Sequence, residues 1–176
     1  MLDAGFGEGV LLNKLKDVYS IRGIEILKYA ASAAKELLQN VPTENVDLEK
    51  ANLSNLQYNI IVAYNVLGYL SDPAKTHKNL QKSLEEGGIF IGSVPNNQRV
   101  LGSIFTRITN IVDKTHISTF KISQWREVFL EAGYKIVSEY GDVPLTMNSC
   151  TYIKHPIWQN IAPNYIFVLE KVIDYN

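Results

Sequence analysis

Apolar positions recur along the chain with two periods, and segments of the two kinds alternate. Met1-Leu2-Asp3-Ala4 reads as a strand running into a glycine-rich turn. Val10, Leu11, Leu15 and Val18 then mark a helical face. Residues 19–24 predict a second strand ending at Glu25, and the alanine-rich stretch 27–38 a helix closed by Asn40 and Pro42. Val46 and Leu48 alternate with charged residues as a weak third strand. The unbroken apolar run 59–64 suits a strand buried on both faces. Asp72-Pro73 opens the next helix, with Asp at the N-cap and Pro at the first helical position, and Gly87-Gly88 stops it before a strand over 89–94.

This alternation predicts a parallel sheet with helices on both faces. The later part differs. Residues 98–112 are amphipathic and irregular, Ser123 starts a helix reaching Ala132 with Gly133 as its C-cap, and residues 135–140 and 165–171 read as two late strands. The stretch 141–163 between them reads as a long loop or insertion. The expected fold is an α/β, Rossmann-like three-layer sandwich. Its seven-stranded sheet is mostly parallel, with an antiparallel strand near the C-terminus. A length of 176 residues fits a single domain over 1–176, with a cofactor-binding half at 1–97 and a substrate-side half with the last strands at 98–176.

Composition narrows the function classes. Seventeen Lys and Arg against eighteen Asp and Glu leave no broad positive surface, which argues against nucleic acid as a partner. No apolar run reaches the length of a membrane span, and the single Arg in residues 101–108 makes that amphipathic stretch a poor membrane anchor, so stable membrane insertion is not expected. The one cysteine, Cys150, forms no internal disulfide and fits a reducing, cytoplasmic setting. No compact cluster of His, Asp and Glu has metal-ligand spacing, so no metal site is expected.

The chemistry concentrates in Asp3-Ala4-Gly5-Phe6-Gly7-Glu8-Gly9, a D-x-G-x-G-x-G turn between a strand and a helix. Glycines there admit positive φ and close approach of a ligand to the backbone. A dinucleotide fingerprint needs a small third residue where this chain has Val10, which argues against a nicotinamide-dependent oxidoreductase. Glu25, at the tip of the second strand, is placed to accept hydrogen bonds from ribose hydroxyls; otherwise it is a solvated acid at the start of the next helix.

LDAGFGEG, GIE, YNIIVAYNVLGYLSDP, LEEGGIFIGSVPN, DKTHISTF and WREVFLEAGYKIV occur in an order that resembles the class I S-adenosylmethionine-dependent methyltransferases, and within them the small-molecule branch that includes ubiquinone-type O-methyltransferases. The resemblance implies S-adenosylmethionine as cofactor and a small-molecule substrate, with a hydroxyl as the favoured acceptor. It implies that Asp3, Gly5, Gly7 and Gly9 wrap the methionine part and that Glu25 holds the ribose. Asn52, with Leu53 beside it, would stand near the adenine amine where relatives usually carry Asp, and Tyr64 and Asn65 would edge the cofactor near its sulfur. A non-catalytic module that keeps the cofactor fold is the rival reading.

For catalysis, two residues stand out. His116 lies in a stretch that borders the substrate cavity in similar enzymes, and Tyr69 follows the fourth strand where relatives often carry His. His77 shares a helix face with Leu80 and Leu84 and reads as packing, His155 as a surface residue, and Tyr152, Trp158 and Tyr165 as pocket lining or core. The resemblance also implies a lead-in helix and a fuller first strand. In the sequence given the strand begins at Met1, so the N-terminal lead-in helix is expected to be absent unless the natural protein begins further upstream. The sheet face left open is expected to be covered by self-association into a homodimer, or by residues 141–163.

Overall fold

The computed structural model describes the chain except for residues 54, 97–119, 147, 148, 158, 160, 161 and 173–176. His116, Trp158 and the amphipathic stretch 98–112 therefore lie outside the described residues. Eight strands form one sheet in the order β3-β2-β1-β4-β5-β8-β6-β7. They are β1 (Leu2–Ala4), β2 (Arg22–Glu25), β3 (Thr43–Asn45), β4 (Tyr58–Tyr64), β5 (Leu84–Pro95), β6 (Tyr134–Thr146), β7 (Ser149–Ile153) and β8 (Asn164–Lys171). Among the described residues the helices are α1 (Val10–Leu15), α2 (Lys28–Ala34), α3 (Pro73–Lys82) and α4 (Ile122–Glu131). The first five strands pair in parallel, and β8 enters antiparallel beside β5. The expected α/β sheet, mostly parallel with antiparallel C-terminal pairing, is the one observed.

Alternation along the strands sorts the core into two layers. Ile61, Phe90, Phe167 and Leu169 point to one face and pack with Trp125 and Phe129 of α4 and Leu80 of α3. Phe129 and Phe167 meet at 4.4 Å between ring centroids, and Phe90 stacks parallel to Phe167 at 6.1 Å. A smaller cluster on the other face joins Phe6, Leu12 and Ile21 to Ala34 and Leu38. Asp72 caps α3, its Oδ1 accepting from the Lys75 N–H at 2.9 Å, a contact worth about 1 kcal/mol.

Several local expectations change. Helix α1 ends at Leu15 and buries only Leu12, while Val10 and Val18 are exposed. The third strand lies just upstream of Val46, and Leu48 turns into the main core instead. Strand β5 starts at Leu84 and runs through the two glycines taken as the helix stop. The largest correction concerns 141–163. Strand β6 continues to Thr146 and returns as β7 in an antiparallel hairpin, giving an eighth strand where seven were expected and three antiparallel pairings instead of a single antiparallel strand. Pro144 is accommodated within the strand because the register shifts between Pro144 and Thr146, where a missing N–H is tolerated.

The three-residue β1 pairs on both sides: Asp3 lies opposite Gly23 of β2 and Val62 of β4. Just before it, the Arg22 N–H reaches Met1 O at 3.0 Å and the Met1 ammonium donates to Ser20 O at 2.8 Å. On the far side, Asn96 Nδ2 donates to Gln159 O and Ala162 O, tying the end of β5 to the approach to β8.

Candidate functional site

The turn after β1 is shaped by glycines in the left-handed region, Gly5 (φ +86°), Gly7 (φ +54°) and Gly9 (φ +81°). They serve different ends. A Cβ at Gly5 would lie 2.1 Å from Val66 Cγ2, so this glycine lets the turn sit against the segment following β4. A Cβ at Gly7 would meet nothing within 4 Å, so this is the point where the backbone is open to a ligand. Gly9 abuts Ala34 and Leu38 and lets α1 approach α2 closely.

Glu25, at the end of β2, is 5% exposed, yet its carboxylate is fixed at both oxygens. Oε2 accepts from the Gly7 N–H at 2.8 Å and Oε1 from the Leu27 N–H at 2.7 Å. The alternative of a solvated acid is thereby corrected. Each oxygen keeps a lone pair for one further donor. Asp3 is also buried, at 3% exposure. Among the described residues none donates to its carboxylate. Burial first, and the charge of Glu25 second, push its pKa up to about 7.

A pocket of about 410 Å³ opens beside Asp3, and neither Gly7 nor Glu25 is among its lining residues. Asp3, Gly5, Phe6, Glu8, Val10, Leu11 and Tyr64 line it. That volume is the size of a small-ligand site. Val10, read from the sequence as a departure from the dinucleotide fingerprint, is a pocket wall, and Phe6, Glu8 and Leu11 were missed because only the glycines of that turn carry a recognisable pattern.

Tyr64 ends β4 and is 44% exposed. Burial raises its pKa, and the charges of Asp142 and Cys150 add to the rise. The β6–β7 hairpin therefore reaches the same phenol that walls the pocket. Asp142 is held there by the Asn164 N–H at 2.9 Å and Asn164 Nδ2 at 2.8 Å, and Tyr152 lies opposite it in register.

None of the remaining described candidates lines the pocket. Asn65 (φ +53°) turns back on β5, its Oδ1 accepting from Ser93 Oγ at 3.0 Å. Asn52 is exposed, and the Leu53 side chain belongs to the main core. Tyr69 lies in a 3-10 turn at Leu67–Tyr69, 42% exposed. Of the histidines, His77 is fully buried among Phe90, Trp125, Phe129 and Tyr134. Burial holds it neutral, its pKa lowered to about 3. His155 is exposed, and its Nδ1 accepts from the Ile157 N–H. Among the described residues no group of three or more His, Cys, Asp or Glu could hold a metal ion, and no helix is long and apolar enough to cross a membrane.

Three open features fit an S-adenosyl group: the bare backbone at Gly7, spare acceptor capacity on Glu25, and a buried carboxyl, Asp3, suited to a cation. Comparison with known proteins agrees. A family model described as a methyltransferase domain matches residues 1–139. No curated protein matches. Among solved structures, a chain in the complex of the Haloferax volcanii Trm112 methyltransferase activator with its methyltransferase superposes with a TM-score of 0.79 at 15% identity, covering 98% of this chain and 82% of that one. An S-adenosylmethionine-dependent methyltransferase from Thermotoga maritima gives 0.77 at 15% identity over 97% and 80% of the two chains. One from Mesorhizobium loti gives 0.75 at 15% over 97% and 89%. At these identities the structures speak for the fold alone, and the family match supplies the rest. A strand-turn-helix that leaves Gly7 bare, a buried acid on each of the first two strands and a domain match over residues 1–139 converge on one conclusion: the chain belongs to the class I S-adenosylmethionine-dependent methyltransferases.

Proposed function

We propose that this domain transfers the methyl group of S-adenosylmethionine to a hydroxyl oxygen of a small molecule, as its resemblance to the ubiquinone-type branch suggests. The observation that carries the cofactor part is the Glu25 carboxylate, immobilised by Gly7 and Leu27 with one lone pair spare on each oxygen. Those lone pairs accept the two ribose hydroxyls. Gly5, Gly7 and Asp3 take the methionine end, where the Asp3 carboxylate faces the cation. When bound, the cofactor supplies an activated methyl on a sulfonium.

The acceptor side is the seam between Tyr64 and the β6–β7 hairpin. Tyr64 belongs to both the pocket wall and the surroundings of Asp142 and Cys150, so a molecule lodged there lies beside the cofactor pocket. In the transfer an O–C bond forms, the S–C bond breaks with its electron pair going to sulfur, and the hydroxyl proton passes to a base. His116 is proposed as that base and Tyr69 as a hydroxyl that orients the acceptor. The rest is proximity and alignment, which in-line displacement rewards strongly.

Calorimetry with S-adenosylhomocysteine and with NAD, followed by methyl-transfer assays on a panel of phenols, alcohols and amines, tests the reading. Binding of the adenosyl ligand and not of NAD, with turnover on hydroxyl acceptors that persists in chelator, is expected. Tight NAD binding would reject the cofactor site. Turnover on amines alone would replace the hydroxyl, and binding without turnover on any acceptor would leave a cofactor-binding module.

A further inference from the structure

We propose that Asn45 is a positioning residue for the cofactor site, acting through Glu25. Asn45 is the last residue of β3 and lies directly opposite Glu25 in the parallel ladder. Its side-chain Nδ2 donates to Glu25 O at 2.7 Å and to Ile26 O at 3.0 Å. The Val46 N–H also reaches Glu25 O, at 3.1 Å. One amide thus holds two consecutive carbonyls at the point where the chain leaves β2 for α2.

That grip governs where the Glu25 carboxylate points. The side chain is held from the other side, by Gly7 in the glycine turn and by Leu27 at the entrance to α2. Glu25 is therefore clamped between two loops, its main chain by β3 and its carboxylate by the turn after β1. A carboxylate that must meet two adjacent hydroxyls tolerates little displacement, so freeing the main chain loosens the geometry that binding needs. The core does not need Asn45: all three residues of β3 are exposed and the strand forms the edge of the sheet. Both bonds require a donor at this place. Aspartate has the same shape and none, so it would set a carboxylate against two carbonyl oxygens.

The inference rests on Glu25 holding the ribose, and its test separates the two. S-adenosylhomocysteine and adenosine are titrated calorimetrically into the parent, Asn45→Ala, Asn45→Asp, Glu25→Ala and the Asn45→Ala/Glu25→Ala double variant, with melting curves for each. Asn45→Ala and Asn45→Asp are expected to weaken both ligands roughly tenfold, as loss of pre-organisation does, with melting curves close to the parent. In the Glu25→Ala background Asn45→Ala is expected to cost nothing further, because its effect passes through that carboxylate. If Glu25→Ala leaves affinity unchanged, the ribose reading fails. If Glu25→Ala weakens binding but Asn45→Ala does not, or costs as much in both backgrounds, the positioning role is overturned. Full affinity in Asn45→Asp would show that shape alone suffices and would overturn it as well.

Discussion

Asp3 and Glu25 stand at the carboxyl ends of neighbouring parallel strands, both nearly inaccessible to water, and the charge of Glu25 helps keep a proton on Asp3. Two buried acids at adjacent strand tips raise the energy of the empty fold.

The first prediction follows from the proton. The Asp3 carboxyl titrates at about 7 in the fold against 3.8 for the free group. Between those values the fold keeps a proton that the unfolded chain has lost. The contribution of this group is therefore fully favourable at low pH and is lost as pH rises through about 7. Asp3→Asn is expected to exceed the parent in stability at pH 8 by about 2 kcal/mol, discounted from a linkage ceiling of roughly 4. The difference should vanish toward pH 4. Cofactor affinity of the parent should rise through pH 7 as the carboxylate forms, and that rise should be absent in the variant. Urea denaturation and calorimetry at pH 5 and 8 read both effects.

His77 has the opposite sign. Both ring nitrogens are buried without a hydrogen-bond partner, and the folded pKa is lowered to about 3 from 6.5. The unfolded chain takes up a proton that the fold refuses, so stability is complete above about 6.5 and declines as pH falls toward 3. His77→Leu removes the proton site. Between pH 7.5 and 4.5 the parent is expected to lose about 2 kcal/mol more than the variant, read from chemical denaturation at each pH. Parallel losses in the two proteins would show that His77 is not responsible.

Gly5 is predicted to be needed for two separable reasons. Gly5→Ala places a Cβ at φ +86° and 2.1 Å from Val66 Cγ2. Backbone strain and overpacking together should cost about 3 kcal/mol. Val66→Ala in the same chain opens the space and should restore only the packing share, roughly half. Complete rescue in the double variant would mean that the backbone tolerates the left-handed turn with alanine.

The hairpin carries the last prediction. Tyr152 is 58% exposed and lies opposite Asp142 in the hairpin that reaches Tyr64. Tyr152→Ala is expected to raise the acceptor KM about tenfold, the worth of one aromatic contact, and to leave S-adenosylhomocysteine affinity unchanged. An unchanged acceptor KM would place the substrate elsewhere.

Much of the candidate cofactor site was legible because it is local in the chain. Asp3, Gly5, Gly7 and Gly9 fall within one strand-to-helix turn, where glycine spacing constrains the backbone directly. Glu25 was legible because the chain reverses immediately after a short strand. The alternation of strand and helix is likewise a local property, set by apolar periodicity, and it led to the parallel sheet.

What the tertiary structure decided depends on residues far apart in sequence. Only the β2–β3 register places Asn45 against Glu25, twenty positions away, and only the packing of the turn against Val66 and α2 distinguishes the open Gly7 from Gly5 and Gly9, whose Cα atoms face a neighbouring side chain. The 141–153 hairpin was read from the sequence as part of a long loop, and only the pairing of β6 with β7 and with β8 makes it strand. The two displaced pKa values were equally hidden. An aspartate at a strand tip and a histidine on a helix face look ordinary in sequence, and it is the desolvation imposed by the assembled core that moves one up to about 7 and the other down to about 3.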